Sequence, residues 1–304
     1  MDPNYTSPLL CDESKLNHHE PKVYGIGRCS LVPNSHTAQD LLEATVCSFY
    51  GLTLDELSQP QKFAFYRFQK RLEWLVELDI EDPLDPELGI HLKCLAKDID
   101  DMFFFGSLCT GNPPIANFKL IEQEFVRYNN REHKGKCDVK TPVDGIPQCQ
   151  IDIALGAPKT RLSEDLVVML IHEMIHAYLS SFVCNRAGCS KDILNTMGFP
   201  FSNHGPTFRA LHFAILSSLS DWDEGIKALF DYIEPHPLLQ KYELSEEEHA
   251  QKQCEAQDLY PRTIPNRDDC IRVYDWTVVI DIERLRETRC LFNRTLMDDT
   301  MNSV

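Results

Sequence analysis

The stretch Leu166-Val-Val-Met-Leu-Ile-His172-Glu173-Met-Ile-His176-Ala-Tyr178 decides how the chain reads. It sets an H-E-x-x-H inside an apolar run whose length and composition predict a buried helix over Asp165 to Phe182. Residues four apart share one face of a helix, so His172 and His176 can offer two imidazole nitrogens to one metal ion, with Glu173 beside the water held there. Just upstream, Ser163-Glu-Asp165 has the chemistry of a helix start, with Ser163 as N-cap and acids in the first turn. The pattern points to zinc-dependent hydrolysis.

A catalytic zinc takes three protein ligands and keeps one position for water, so the helix pair needs a third ligand from elsewhere. The metzincin pattern requires glycine three residues after the second histidine and histidine six after it; Leu179 and Phe182 stand there, which excludes that class. A carboxylate from Asp192, Asp221 or Glu224 is one alternative, though none lies in a recognisable ligand-bearing helix pattern. His204, in Ser202-Asn-His-Gly-Pro-Thr-Phe208, is the better candidate. It directly precedes a predicted helix over Phe208 to Leu219, Pro206 suits a first helical position, and Gly205 permits close backbone approach.

With His204 in place, the chain resembles the SprT-like (Spartan-type) metalloprotease domain. The matching residues are His172, Glu173, Met174, Ile175, His176 and Ala177, then His204, Gly205, Pro206 and Phe208, with Phe103-Phe104-Phe105-Gly106 upstream. The similarity spans residues 86 to 235, about half the chain. Two departures stand out: an insertion around Cys184 to Gly198 lengthens the span between His176 and His204, and Asn203 stands where the family usually has glycine. Longer insertions of this kind resemble fungal SprT-like proteins. The resemblance implies an α+β fold with a zincin-like metalloprotease core, made of a metal-binding helix, a small sheet and a following helix. It also implies Zn2+ held by His172, His176 and His204, with Glu173 as general base. It further implies protein substrates bound or crosslinked to DNA, hence DNA repair and a nuclear setting.

The rest of the chain divides into an irregular leader (1–35), an N-terminal helical portion (36–85) and, after the metalloprotease-like part, a mildly acidic tail (236–304). The leader is rich in Pro, Asn, Ser and His without a sustained period. Apolar residues at three- and four-residue spacing predict helices over Asp40 to Tyr50, Lys62 to Leu78 and Pro86 to Phe104. Phe118 to Val126 and Cys149 to Leu155 read as strands of a small sheet, and the polar, basic Arg131 to Lys140 between them as a loop. The tail carries 14 acids against 9 bases, the acidic run Glu246 to Glu248, a Pro-broken loop near Pro261 to Pro265 and an amphipathic segment from Thr277 to Phe292.

At 304 residues the chain is long enough to bury a core that holds a rigid site. A formal net charge of -17 argues against a broad electrostatic grip on nucleic acid or anionic membrane, so any DNA contact is local or borrowed from a partner. Neither a signal peptide nor a membrane-spanning apolar run is legible, and the protein is expected to be soluble and intracellular, nuclear or cytoplasmic. The 12 cysteines are scattered over a long chain, and most are expected to be reduced. Cys184 and Cys189, in C-x4-C spacing, could form half of a second metal site; an ordinary thiol pair is the simpler reading, since no matching pair follows. His18, His19 and His133 read as surface residues, and Tyr178 and His212 as packing residues rather than oxyanion donors. The basic residues Arg127, Arg131, Lys134, Lys136 and Lys140 read as a solvated stretch before a phosphate-binding one. Beside a peptidase acting on DNA-bound proteins stand two rivals, a general intracellular zinc hydrolase and a zinc-stabilised interaction scaffold without turnover.

Overall fold

The computed structural model describes residues 22–24, 28–77, 86–110, 113–121, 126–128, 131–140, 147–154, 162–184, 189, 196 and 204–231. The expectations for His18, His19, Asp192 and the 236–304 tail lie outside these residues, as does the side chain of His133. The fold is α+β. In chain order it runs β1 (Lys22–Tyr24), β2 (Arg28–Ser30), α1 (Ala38–Cys47), a short 3-10 turn (Leu54–Glu56), α2 (Gln59–Glu77) and α3 (Pro86–Phe103). There follow β3 (Ala116–Ile121), β4 (Val126–Tyr128), β5 (Arg131–His133), β6 (Gly135–Lys140), β7 (Gln148–Ala154), α4 (Leu162–Phe182), α5 (Pro206–Trp222) and α6 (Glu224–Asp231).

The central sheet has the order β3-β7-β6, with β3 parallel to β7 and β6 antiparallel to it. β7 alternates buried Cys149, Ile151 and Ile153 with half-buried residues, the period-two pattern of a strand covered on one face. The cover is α4, which packs on both β6 and β7. Cys149 Sγ meets Ser181 Oγ of that helix at 3.4 Å. The helices before the sheet share the core: Leu41, Phe49, Phe65, Phe68, Leu92, Ile99 and Phe103 belong to one buried cluster with Leu170, Ile171, Ile175 and Phe208. The 36–85 portion is therefore built into the same packing as the part that carries the H-E-x-x-H helix.

Three local features fix α4. Near its last turn, the Tyr178 hydroxyl is fully buried and bonds Thr45 Oγ1 of α1 at 2.9 Å. On a second side, Phe104 packs on the Tyr178 ring at 4.9 Å. Phe104 is held by the turn that ends α3, where Phe105 and Gly106 take φ of 60° and 68°. The Gly106 N–H reaches back past the helix end to Asp100 O at 3.0 Å, giving one of the last carbonyls of α3 a partner. Asp100, buried beneath that turn, accepts the N–H groups of Leu108 and Cys109. A side chain at Gly106 would be strained by its φ and would meet Thr110 Oγ1 at 2.9 Å. The aromatic run of the motif is thus a helix stop that sets the Phe104 ring against α4. At its C-terminal end, α4 gives its Ser181 and Phe182 carbonyls to the N–H groups of Asn34, Ser35 and His36.

Several sequence expectations shift. Arg131 to Lys140, expected as a loop, holds strands β5 and β6; alternation in Lys136-Cys-Asp-Val-Lys140 is masked by charge because β6 stands at the sheet edge, with one side facing water. The strand expected to run from Phe118 to Val126 instead ends at Ile121, and Val126 opens the β4–β5 hairpin. Within the leader expected to be irregular, β1 and β2 pair antiparallel on either side of a Gly-x-Gly. α4 begins at Leu162, so Ser163 lies inside its first turn rather than at the cap. No helix among the described residues is long and apolar enough to cross a membrane.

Candidate metal centre

Between Leu166 and Val183, α4 is buried everywhere except at Met169, His172, His176 and Ser180. These residues fall three or four apart and form one open stripe on a helix that is otherwise core on all sides. Burial of the other faces leaves the two histidines one direction in which to point. The facing wall is the start of α5.

His204 is delivered by a turn that the backbone secures from both sides. The Gly205 N–H donates to Thr196 O at 2.9 Å, and Gly205 then caps α5 with extended φ and ψ, followed by Pro206 at the first helical position. Arg209 Nε donates to the His204 carbonyl at 2.9 Å, closing the turn from within the helix.

The three histidines converge. Their ligand atoms all lie within 4.8 Å of one another, and His172 Nε2 meets His204 Nε2 at 3.0 Å. All three are only partly buried, so the cluster opens to solvent. Asp221 and Glu224, weighed as alternatives for the third ligand, are exposed at the far end of α5 and the start of α6. Two imidazole nitrogens meeting head-on, with a third beside them, form a donor set that can hold a metal ion. Imidazole is a good ligand for zinc and for other late first-row metals. Burial, with the neighbouring charges of His204 and His212 second, pulls the His176 pKa down to about 3. His176 is therefore neutral near pH 7, as a ligand must be.

Glu173 sits one residue along the helix and is 4% exposed. Burial alone pushes its carboxyl up to about 8. A dication nearby acts in the opposite sense and favours the carboxylate. Its other neighbour is Gly135 at the start of β6, where a Cβ would lie 2.7 Å from Glu173 Oε1 and 2.6 Å from Met169 Sδ. The edge strand can pass this close to the carboxylate only because residue 135 has no side chain.

Phe208 completes the floor of the site. It is fully buried, and its ring centroid lies 4.4 Å from that of His176, 4.9 Å from His172 and 4.8 Å from His204. His212, one turn further along α5, is buried against His172 and Phe208. Both His212 and Tyr178 are packing residues, Tyr178 with its hydroxyl turned to Thr45. The sequence pattern missed Gly135 and the role of Phe208. For Phe208 a signal was present, an aromatic four residues after His204 on the predicted helix, whereas Gly135 opens a strand that the sequence reads as a loop. Of the basic residues, Lys134 and Lys140 are exposed on or beside β6, whereas Lys136 is ion-paired with Asp138. Cys184 and Cys189 lie together, away from the histidines. No family model, no curated protein and no solved structure matches this chain.

Proposed function

We propose that the protein is a zinc-dependent metallopeptidase of SprT-like type, with a zincin-like core, and that proteins bound or crosslinked to DNA are its substrate class. The observation that carries the reading is the meeting of His172, His176 and His204 in one partly buried cluster, with the buried Glu173 carboxyl one residue along the same helix from His172. When bound to the three histidines, zinc supplies Lewis acidity, polarising a scissile carbonyl and making water a nucleophile near neutral pH. Glu173 takes the water proton at its carboxylate and returns it to the leaving amine. β6, an edge strand passing over Glu173, offers backbone groups along which an extended peptide can align.

The DNA-directed part rests on resemblance, and the pairing of Lys136 with Asp138, together with the net charge of -17, favours a peptidase acting on proteins independently of DNA as the second reading. Cleavage of histone and of casein, each with and without single-stranded DNA, separates the two. DNA is expected to accelerate histone cleavage about tenfold or more through local steering; equal rates would leave only the general peptidase. A chelator is expected to abolish both reactions and zinc to restore them.

Gly135→Ala is expected to retain stoichiometric zinc while losing about 100-fold in kcat/KM, because the added methyl displaces the carboxylate that must reach the water. Such overpacking also costs about 1–3 kcal/mol of stability. Metal content measured beside kinetics checks this. Unchanged kcat/KM would show that the carboxylate position is set by something other than the edge strand.

A further inference from the structure

The open stripe of α4 extends beyond the histidine pair. Met169 stands one turn before His172 and Ser180 one turn after His176, and both reach solvent. Met169 also meets the edge strand: the space that a Cβ of Gly135 would need is taken by Met169 Sδ and the Glu173 carboxyl. Further along, Val139 of β6 pairs with Cys149 of β7, and Cys149 Sγ lies against Ser181 Oγ and the Ala177 carbonyl of α4. β6 and α4 therefore run in the same direction, with Gly135 at the Met169–Glu173 turn and Val139 level with the Ala177–Ser181 turn.

The register of the sheet decides what β6 offers a further strand. The Ala154 N–H donates to Lys134 O at 2.8 Å, which makes 134 and 154 a hydrogen-bonded pair. Alternation then turns the backbone groups of Lys136, Asp138 and Lys140 toward β7, and those of Gly135, Cys137 and Val139 toward the other edge. Among the described residues no strand pairs with that edge. Antiparallel addition is the more stable, and it places the N-terminal half of an extended peptide at the Val139 end and its C-terminal half at the Gly135 end. Met169 precedes Glu173 by one turn of α4, so a peptide running the other way brings to Met169 the residue that follows the bond under attack.

Given the peptidase reading, on which this rests, we infer that Met169 selects the substrate residue directly after the scissile bond and that this residue is a large apolar one. A thioether on a flexible, unbranched chain moulds to apolar side chains of different shape. An aspartate set there would lose its water beside the Glu173 carboxyl without gaining a partner. Glycine would leave the Met169 surface uncovered.

The test offers the full, zinc-loaded chain a set of unstructured peptides that differ at one residue, Leu, Phe, Gly or Asp, and maps each cut by mass. Cleavage is expected directly before Leu or Phe, with kcat/KM about 10- to 100-fold above the Gly peptide and the Asp peptide slowest. Met169→Leu should keep that order, and Met169→Lys should invert it, raising Asp above Leu. The ratio of two peptides on one preparation does not depend on how much of a variant folds. Binding of the same peptides to zinc-loaded Glu173→Gln, read by fluorescence anisotropy, gives the order without turnover. A binding order that Met169→Lys inverts, with no hydrolysis by the parent chain, would remove the peptidase reading and keep the Met169 subsite. Cuts directly after the apolar residue, or an order of rates that Met169→Lys leaves unchanged, overturn the inference. So does binding that is absent or indifferent to the varied residue.

Discussion

Glu173→Gln is expected to lower peptide hydrolysis by about 10³-fold while leaving metal content unchanged. Glutamine keeps the length and volume of the side chain, so the packing of a residue that is 4% exposed survives. It also keeps a polar tip against Gly135, but the amide cannot take a proton. The loss therefore isolates the proton transfer from ligation, which rests on His172, His176 and His204. The same substitution has a second readout without metal. Burial raises the folded-state carboxyl to about 8, above its ordinary value of 4.5, so the folded form holds the proton more tightly than the unfolded form does. The stability this contributes is fully present below about 4.5 and is lost as pH rises through 8. The metal-free glutamine variant should lack that decline, becoming the more stable of the two at alkaline pH. Kinetics with metal analysis, and melting curves of the chelated proteins from pH 5 to pH 9, check both halves. Wild-type rates in the variant would remove Glu173 from the chemistry. A metal-loaded parent chain as inert as the variant would favour the scaffold reading.

Helix α4 and its histidine pair were legible in sequence because their determinants are local: an uninterrupted apolar run, with ligand spacing locked to the helical period. The start of α5 was legible for the same reason, since Gly205 and Pro206 mark a helix entry wherever they occur. What escaped depends on partners distant in sequence. β6 reads as a charged loop because Lys136, Asp138 and Lys140 suit an edge exposed to water, and its strand character comes from its pairing with β7. Gly135 is unremarkable until that register brings it against α4. The N-terminal helices read as a separate portion since periodicity reports which face of a helix is apolar and not what covers it. Thr45 bonded to Tyr178, and Phe103 in the common cluster, show that the cover is the half that carries the three histidines. The hold of Asn34 to His36 on the end of α4 rests on backbone groups, which leave no trace in residue type.

Phe208→Ala should be the most damaging substitution outside the ligands and the base. Removing a fully buried phenyl ring costs about 3–5 kcal/mol, from lost burial and from the cavity left behind. In a fold of this size that lowers Tm by about 10 °C. The cavity would open beneath three imidazoles at once, because the ring lies within 5 Å of each by centroid. Freed rotamers must then be reordered by the metal, so affinity is expected to fall by about 10–100-fold, the range seen when groups that orient ligands are removed. Phe208→Leu fills most of the volume and should recover most of the stability, but it lacks the flat face stacked on His176 at 28° and should recover less of the affinity. Melting each variant with saturating zinc and with chelator separates the two effects. The chelated Tm reads packing alone, and the increment on adding metal follows RT ln(1 + [L]/Kd). If the increment for Phe208→Ala equals that of the parent chain, the histidines are held in register by their own helices and the aromatic floor is only core. A smaller increment in both variants, graded with the loss of the ring, means that the residue four positions after the third ligand preorganises the metal centre.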